Sequence, residues 1–213
     1  IVLFVATLVV YNQLNFINNK DLGFDKDGLL VVKRTLSLGN NYSLYKESIL
    51  KNPNIKNASY VSSLPGENYS NTVFVPEGLG VDEGRSLWFC TADFDLAKTL
   101  KVDVEQGRYF SREYASDSTA LVVNSGVLKS MGYTENPIGR KLDLVQGNNQ
   151  DIEFNIIGVA DFNFESLHHD LRPLVIFLED RVAGNLLVRI DKGNISQSIE
   201  YLPVEERKTS LPN

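Results

Sequence analysis

The sequence predicts an α+β fold. Short apolar runs rich in Val, Ile and Leu, of strand rather than helix length, recur along the chain. Helical stretches separate some of them, yet there is neither a regular β-α alternation nor an internal repeat. One pair of alternating runs flanks a Gly-Asn-Asn turn, as in an antiparallel hairpin. With 213 residues, 43% hydrophobic and 23% charged, the chain has the length and composition to bury a sizeable core.

Residues 1–10 (IVLFVATLVV) supply half of the roughly 20 apolar residues that a membrane-spanning helix needs. No Gly or Pro follows until Gly23, and Leu14, Ile17 and Leu22 can succeed one another along a helix. The expectation is the end of a transmembrane helix that continues as a stalk, with Tyr11 and Phe16 near the lipid headgroups. A soluble buried strand is the alternative; a signal peptide is disfavoured, because a basic start and an A-x-A site are both missing.

GLLVVKR (28–34) then reads as a strand. Tyr42, Tyr45 and Ile49 follow at helical spacing up to Pro53, and IKNASYVSSLPG reads as the next strand, which completes a β-α-β unit of about 35 residues. Residues 67–85 are rich in Gly, Asn, Ser and Pro and predict a boundary or long loop with one strand at 72–75. TADFDLAKTL predicts a short helix capped by Thr91 or Asp93, with Phe94, Ala97 and Leu100 on one side. TALVVNSGVLKSMGY predicts a buried strand, an Asn124 cap and a helix stopped by Gly132. The hairpin KLDLVQGNNQDIEFNIIGVADFNF, the strands RPLVIFL and NLLVRID, and a helix at NISQSIEYL capped by Asn194 or Ser196 complete the chain. PVEERKTSLPN reads as a loop.

The 21 basic and 27 acidic residues give a net charge of −6 without long runs of one sign, which excludes a nucleic-acid footprint. Cys90 is the single cysteine, so an internal disulfide framework and every multi-cysteine metal motif are excluded.

Four pieces in order, NKDLGFDKDGLLVVK, DFDLAKTLKVDVEQGRYFSRE, NSGVLKSMGYTENPIGRKL and IIGVADFNFESLHHDLRPLVIFL, resemble the extracytoplasmic core domain of MacB/FtsX-like ABC-transporter permeases. The resemblance runs from about Tyr11 to about Tyr201. It implies a porter-like βαβ subdomain with an inserted mixed α/β, sabre-like subdomain. The implied divisions are 1–27 for the end of the first membrane helix and stalk, 28–66 and 173–213 for the two porter segments, and 67–172 for the insert. It further implies no enzymatic activity and no cofactor in this chain, which transmits ATP-driven motion from the inner membrane into the periplasm. The implied partners are a cytoplasmic ATPase subunit, a second permease copy and a periplasmic or outer-membrane protein. A sensory ectodomain of a membrane receptor is the alternative.

Among candidate chemical sites, FESLHHDLRP gathers Glu165, His168, His169, Asp170 and Arg172. Glu165 and His169 have i,i+4 spacing, but the set is not H-E-x-x-H, and adjacent histidines on a helix diverge by about 100°. The expectation is a turn with an Asp170–Arg172 pair and Leu167 and Leu171 packed inward; a zinc-dependent hydrolase centred on the histidines is the rival. Cys90, beside Trp88 and Phe89, reads as an inert core thiol. Asp93 and Asp95 read as stabilisers of a helix N-terminus rather than an acid–base pair. GLGVDEG (78–84) fits no phosphate-binding motif, and its acids would repel phosphate. Gly107 and Gly139 are expected at turns with positive φ, which allots Gly107, Gly132, Gly139 and Gly158 to folding rather than binding. Trp88, Phe89, Tyr109, Phe110, Phe162 and Phe164 are candidates for a partner surface, with most expected in the core.

Overall fold

The structure, a computed structural model, describes residues 25–33, 35–65, 67, 69–145, 151–160, 162, 171–180, 184–191 and 193, together with the backbone of 207–208. The expected membrane-helix end and stalk, the GNN turn, Glu165, His168, His169, Asp170, Phe164 and the helix at NISQSIEYL lie outside these residues. No helix among the described residues is long and apolar enough to cross a membrane.

Strands dominate, and they form two units. The first is an antiparallel sheet of β1 (Leu29–Val32), β10 (Asn185–Ile190), β2 (Ile55–Val61) and β11 (Arg207–Lys208), in the order β11-β1-β10-β2. Both β1 and β2 run antiparallel to β10, which lies between them, and α1 (Tyr42–Leu50) links them, so the expected β-α-β unit is of the split kind. β11 falls inside the segment read as a loop: Arg207 and Lys208 pair with Val32 and Val31 and cover the outer edge of β1.

The second unit is a closed ring. β3 (Ser70–Pro76) pairs with β4 (Arg85–Ala92) and with β7 (Lys141–Leu144). β7 pairs with β8 (Ile152–Ala160), β8 with β6 (Ala120–Val123), and β6 with β9 (Leu174–Leu178). The parallel pairing of β9 with β4 then closes a six-stranded barrel. β5 (Val104–Gly107) extends the edge of β8 beyond β7. β9, which heads the 173–213 segment, thus hydrogen-bonds within the barrel. Residues 67–85, expected as a boundary or long loop with one strand at 72–75, form most of the β3–β4 hairpin: the expected strand lies within β3, and the turn-forming Gly and Pro residues cluster at the hairpin tip.

Alternation explains the three packing layers. Phe74, Leu87, Leu121, Leu142, Phe154, Ile156 and Val175 fill the barrel, and α3 (Ser125–Met131) adds Val127. The Phe177 ring lies 5.0, 5.7 and 5.9 Å from the centroids of Phe154, Phe89 and Phe74. Outward-facing Cys90, Ala92, Val122, Leu174 and Ile176 pack with Leu96 and Leu100 of α2 (Leu96–Leu100) and with Leu29, Val31, Val61 and Leu187 of the first sheet. This middle layer joins the two units. On the far face of the sheet, Leu30, Val32, Tyr60, Leu186 and Val188 pack against Ile49 of α1.

α3 starts and stops as its sequence predicts: the Asn124 carboxamide oxygen accepts the Val127 N–H at 3.2 Å, and Gly132 ends it at φ 69°. α2 is shorter than predicted. Thr91 and Ala92 end β4, and Asp93 accepts the Asp95 N–H at 3.0 Å in a turn ahead of the helix.

Candidate functional site: two polar joints in the fold

Arg189 and Asp93 are buried at two places where the units meet, and each is hydrogen-bonded to several partners. The first lies at the start of the described chain. Arg189 belongs to the strand NLLVRI at the same alternation as Leu187, so it points into the middle layer and is 3% exposed. Its guanidinium donates Nε to the Thr99 carbonyl at 2.8 Å, Nη1 to the Asp27 carbonyl at 2.7 Å and Nη2 to the Asp25 carbonyl at 2.6 Å. Only the forked geometry of arginine reaches three acceptors at once. Asp25 is held further by its N–H on the Leu100 carbonyl at 3.0 Å and by Lys101 Nζ on its carboxylate at 2.7 Å. The Lys101 hydrogen bond, assisted by Arg189, keeps the Asp25 carboxyl below its ordinary pKa against the opposing effect of burial. Residues 25–28 are thereby fastened to both β10 and the end of α2; Ile190 N–H donating to the Gly28 carbonyl at 2.8 Å completes the attachment.

The second joint lies where β2 meets β4. The two strands share one paired position, Val61 with Ala92, and Asp93 follows immediately. Its carboxylate accepts four donors: Ser59 Oγ at 2.6 Å, Asp95 N–H at 3.0 Å, Tyr60 N–H at 3.0 Å and Lys46 Nζ at 2.6 Å. Four donors match the lone-pair capacity of a buried carboxylate. Lys46 of α1 also reaches Asp95 at 2.7 Å, and Arg112 approaches Asp95 at 3.4 Å. Burial raises the Asp95 pKa, but Lys46 and Arg112 outweigh it and hold that carboxyl below its usual value. A single side chain therefore ties α1 and β2 of the first sheet to β4 and α2.

The expected sites can now be placed. Cys90 is fully buried, and desolvation pushes its thiol up to about 12, which agrees with an inert core residue. Asp93 and Asp95 do sit beside a helix, but their carboxylates serve the inter-sheet network. Phe110 and Phe162 are buried, Phe89 packs on the barrel core, and Trp88 and Tyr109 are partly buried against the middle layer. Arg172 lays its guanidinium 4.8 Å from the Trp88 ring centroid. No group of three metal-ligating side chains occurs among the described residues. Gly107 (φ 72°) and Gly139 (φ 85°) do adopt left-handed backbone.

Sequence reasoning passed over Lys46, Ser59 and Arg189. Arg189 carried a readable signal, a charge at an inward position of an otherwise apolar strand. Lys46 and Ser59 carried none, because their partners lie 47 and 34 residues away.

Residues 1–199 match the MacB-like periplasmic core domain. The chain belongs to that family. No curated protein is similar enough in sequence to match. Among solved structures, this MacB-like core domain is similar to the periplasmic region of MacB from Actinobacillus actinomycetemcomitans, with a TM-score of 0.56 at 14% identity, covering 84% of this chain and 81% of that one. It is similar to the extracellular domain of the noncanonic ABC-type transporter YknZ from Gram-positive bacteria, at TM-score 0.53 and 12% identity over 82% and 88% of the two chains. A domain of a putative permease protein from Porphyromonas gingivalis gives TM-score 0.52 at 14% identity, over 89% and 96%. At these identities the likeness is one of fold, and the fold of the MacB-like core domain is a mixed α/β one in which strands prevail.

Proposed function

We propose that this MacB-like core domain is the periplasmic part of an inner-membrane ABC-transporter permease, and that it carries ATP-driven movement from the membrane to a substrate or protein partner. It has no catalytic activity of its own. The permease works as a dimer, and a cytoplasmic ATPase subunit supplies the energy. The observation that carries this reading is the Arg189 joint. The chain that follows the apolar residues 1–10 is gripped at Asp25 and Asp27 by β10 and α2 together, so a displacement arriving there moves the sheet rather than fraying its entry. The middle layer and the Asp93 network then pass it to the barrel as rigid-body motion.

The test measures distances between barrels across the permease dimer, by spin labels on the full-length protein in its membrane with its ATPase partner, with and without ATP. The expected result is an ATP-dependent change in the wild type. Arg189→Lys, which offers one ammonium for three carbonyls, lowers the melting temperature of the domain and, at a temperature where the domain stays folded, reduces that change while ATP hydrolysis holds. Equal distances with and without ATP in the wild type overturn the proposal.

A further inference from the structure

The β3–β4 hairpin presents an apolar surface that nothing in the two joints uses. Val73, Leu79 and Val81 are 39%, 54% and 61% exposed, whereas most apolar strand residues among those described are buried. They are held in place. The Leu79 N–H donates to the Pro76 carbonyl at 3.1 Å, Glu83 N–H to Gly80 at 2.9 Å, and Gly84 N–H to Val81 at 3.0 Å. Gly84 joins the patch: a Cβ there would lie 2.6 Å from Val73 Cγ1 and 3.0 Å from the Val81 carbonyl, so only glycine lets the turn close over Val73. An ordered, exposed apolar cluster is characteristic of a docking surface.

Charge identifies the occupant. Glu77, Asp82 and Glu83 lie on the same hairpin, and the adjoining outer faces of β7 and β8 add Asp143 and Glu153, which stand opposite each other. Burial first, and then Glu153, Asp151 and Glu77, raise the Asp143 pKa, so Glu77, Asp143, Asp151 and Glu153 share one negative field, which Asp82 and Glu83 extend along the hairpin in sequence. Lys141 pairs with Glu153 at 2.8 Å, Arg85 lies beside Glu83 at 3.7 Å, and Arg140 stacks on the Tyr133 ring at 4.7 Å, so each of these cations is already engaged. A second copy of this chain bound symmetrically would meet its own acids, and an anionic lipid surface would be repelled.

We propose that the β3–β4 hairpin is the docking surface for a separate protein partner, which presents a segment of apolar side chains flanked by Lys or Arg. Leu79 and Val81 provide the apolar anchor, and the carboxylates steer the approach. This deepens the transmission reading by naming the chemistry of the partner. Its failure is distinguishable from a failure of that reading, since contact at the hairpin says nothing about motion across the dimer.

The experiment replaces Leu79 by the photocross-linker p-benzoylphenylalanine in the full-length protein in its native membrane and maps the adduct to its contact segment by mass spectrometry. The expected adduct is with another protein, at a segment of net positive charge containing at least two large apolar residues. Glu77→Lys with Glu83→Lys lowers its yield about tenfold. The same probe at exposed Lys51, in the turn just after α1, does not form it. Adducts with lipid or with a second copy of this chain, a contact segment that is neutral or acidic, a yield indifferent to the charge reversal, or no adduct at wild-type protein abundance would each overturn the proposal.

Discussion

Asp117 shows how one buried carboxylate can fix an irregular segment. It is 1% exposed and takes Arg108 Nη1 and Nη2 at 2.7 and 2.6 Å, with the Ser111 N–H at 2.8 Å. The guanidinium also lies 4.0 Å from the Tyr114 ring centroid. Burial alone raises the Asp117 pKa, but the Arg108 and Ser111 hydrogen bonds prevail and hold it below its ordinary value. A carboxyl with a folded pKa below the unfolded one contributes stability that is complete above the unfolded value, about 4, and is lost as pH falls through the folded value. Breaking such a pair inside a protein costs about 3–5 kcal/mol. The Arg108 side chain is 34% exposed, so solvent screening reduces this to about 2 kcal/mol for Asp117→Asn at pH 7. Urea unfolding at pH 7 and pH 3 checks it: the gap between wild type and variant should shrink at pH 3, and an unchanged gap contradicts the assignment.

At the scale of elements, the strand segments were legible and their partners were not. The alternation in RSLWFCTA sends Leu87 and Phe89 one way and Trp88 and Cys90 the other, which marks a strand covered on both faces. Nothing local says that this strand pairs in parallel with Leu174–Leu178, more than 80 residues on, or that the ring closes there. The α3 cap was legible because Asn124 and Gly132 act within one helix; the Asp93 network was not, because its donors come from other elements. β5 was missed because its alternation is polar and its strand character comes from pairing with β8. That pairing makes a sharp prediction. Gly107 faces Gly158 across the two strands, and a Cβ would lie 2.2 Å from the Ile157 carbonyl oxygen at Gly107 and 2.1 Å from that of Arg108 at Gly158. Backbone cannot yield there, so Gly158→Ala should cost at least about 2 kcal/mol. Gly139, with open space around its Cβ position, should lose only the roughly 1 kcal/mol of a left-handed alanine. Equal losses by chemical denaturation would refute the crowding argument.

For the whole molecule the middle layer is decisive, because both units draw on it. Leu187 of β10 is fully buried there, facing the outer side of the barrel. Leu187→Ala should cost about 2–5 kcal/mol. Trp88, the single tryptophan, lies on a barrel strand and reports on the other unit. If the layer makes the two one cooperative body, the tryptophan transition and the far-UV circular dichroism transition fall together in the variant. A tryptophan midpoint left in place while the dichroism midpoint drops would show two independently stable bodies, and a rigid transmission path would then be untenable.

Asn124 does more than cap α3. Its amide nitrogen donates to the Phe162 carbonyl at 3.2 Å and the Arg172 carbonyl at 2.8 Å, and its oxygen also accepts the Leu174 N–H at 3.0 Å. The chain on either side of residues 163–170 is therefore pinned to one side chain. Doubling the length of chain between fixed ends costs only about 0.6 kcal/mol. A change in the length of chain between those two anchors therefore weighs little on the stability of the barrel to which Asn124 holds them.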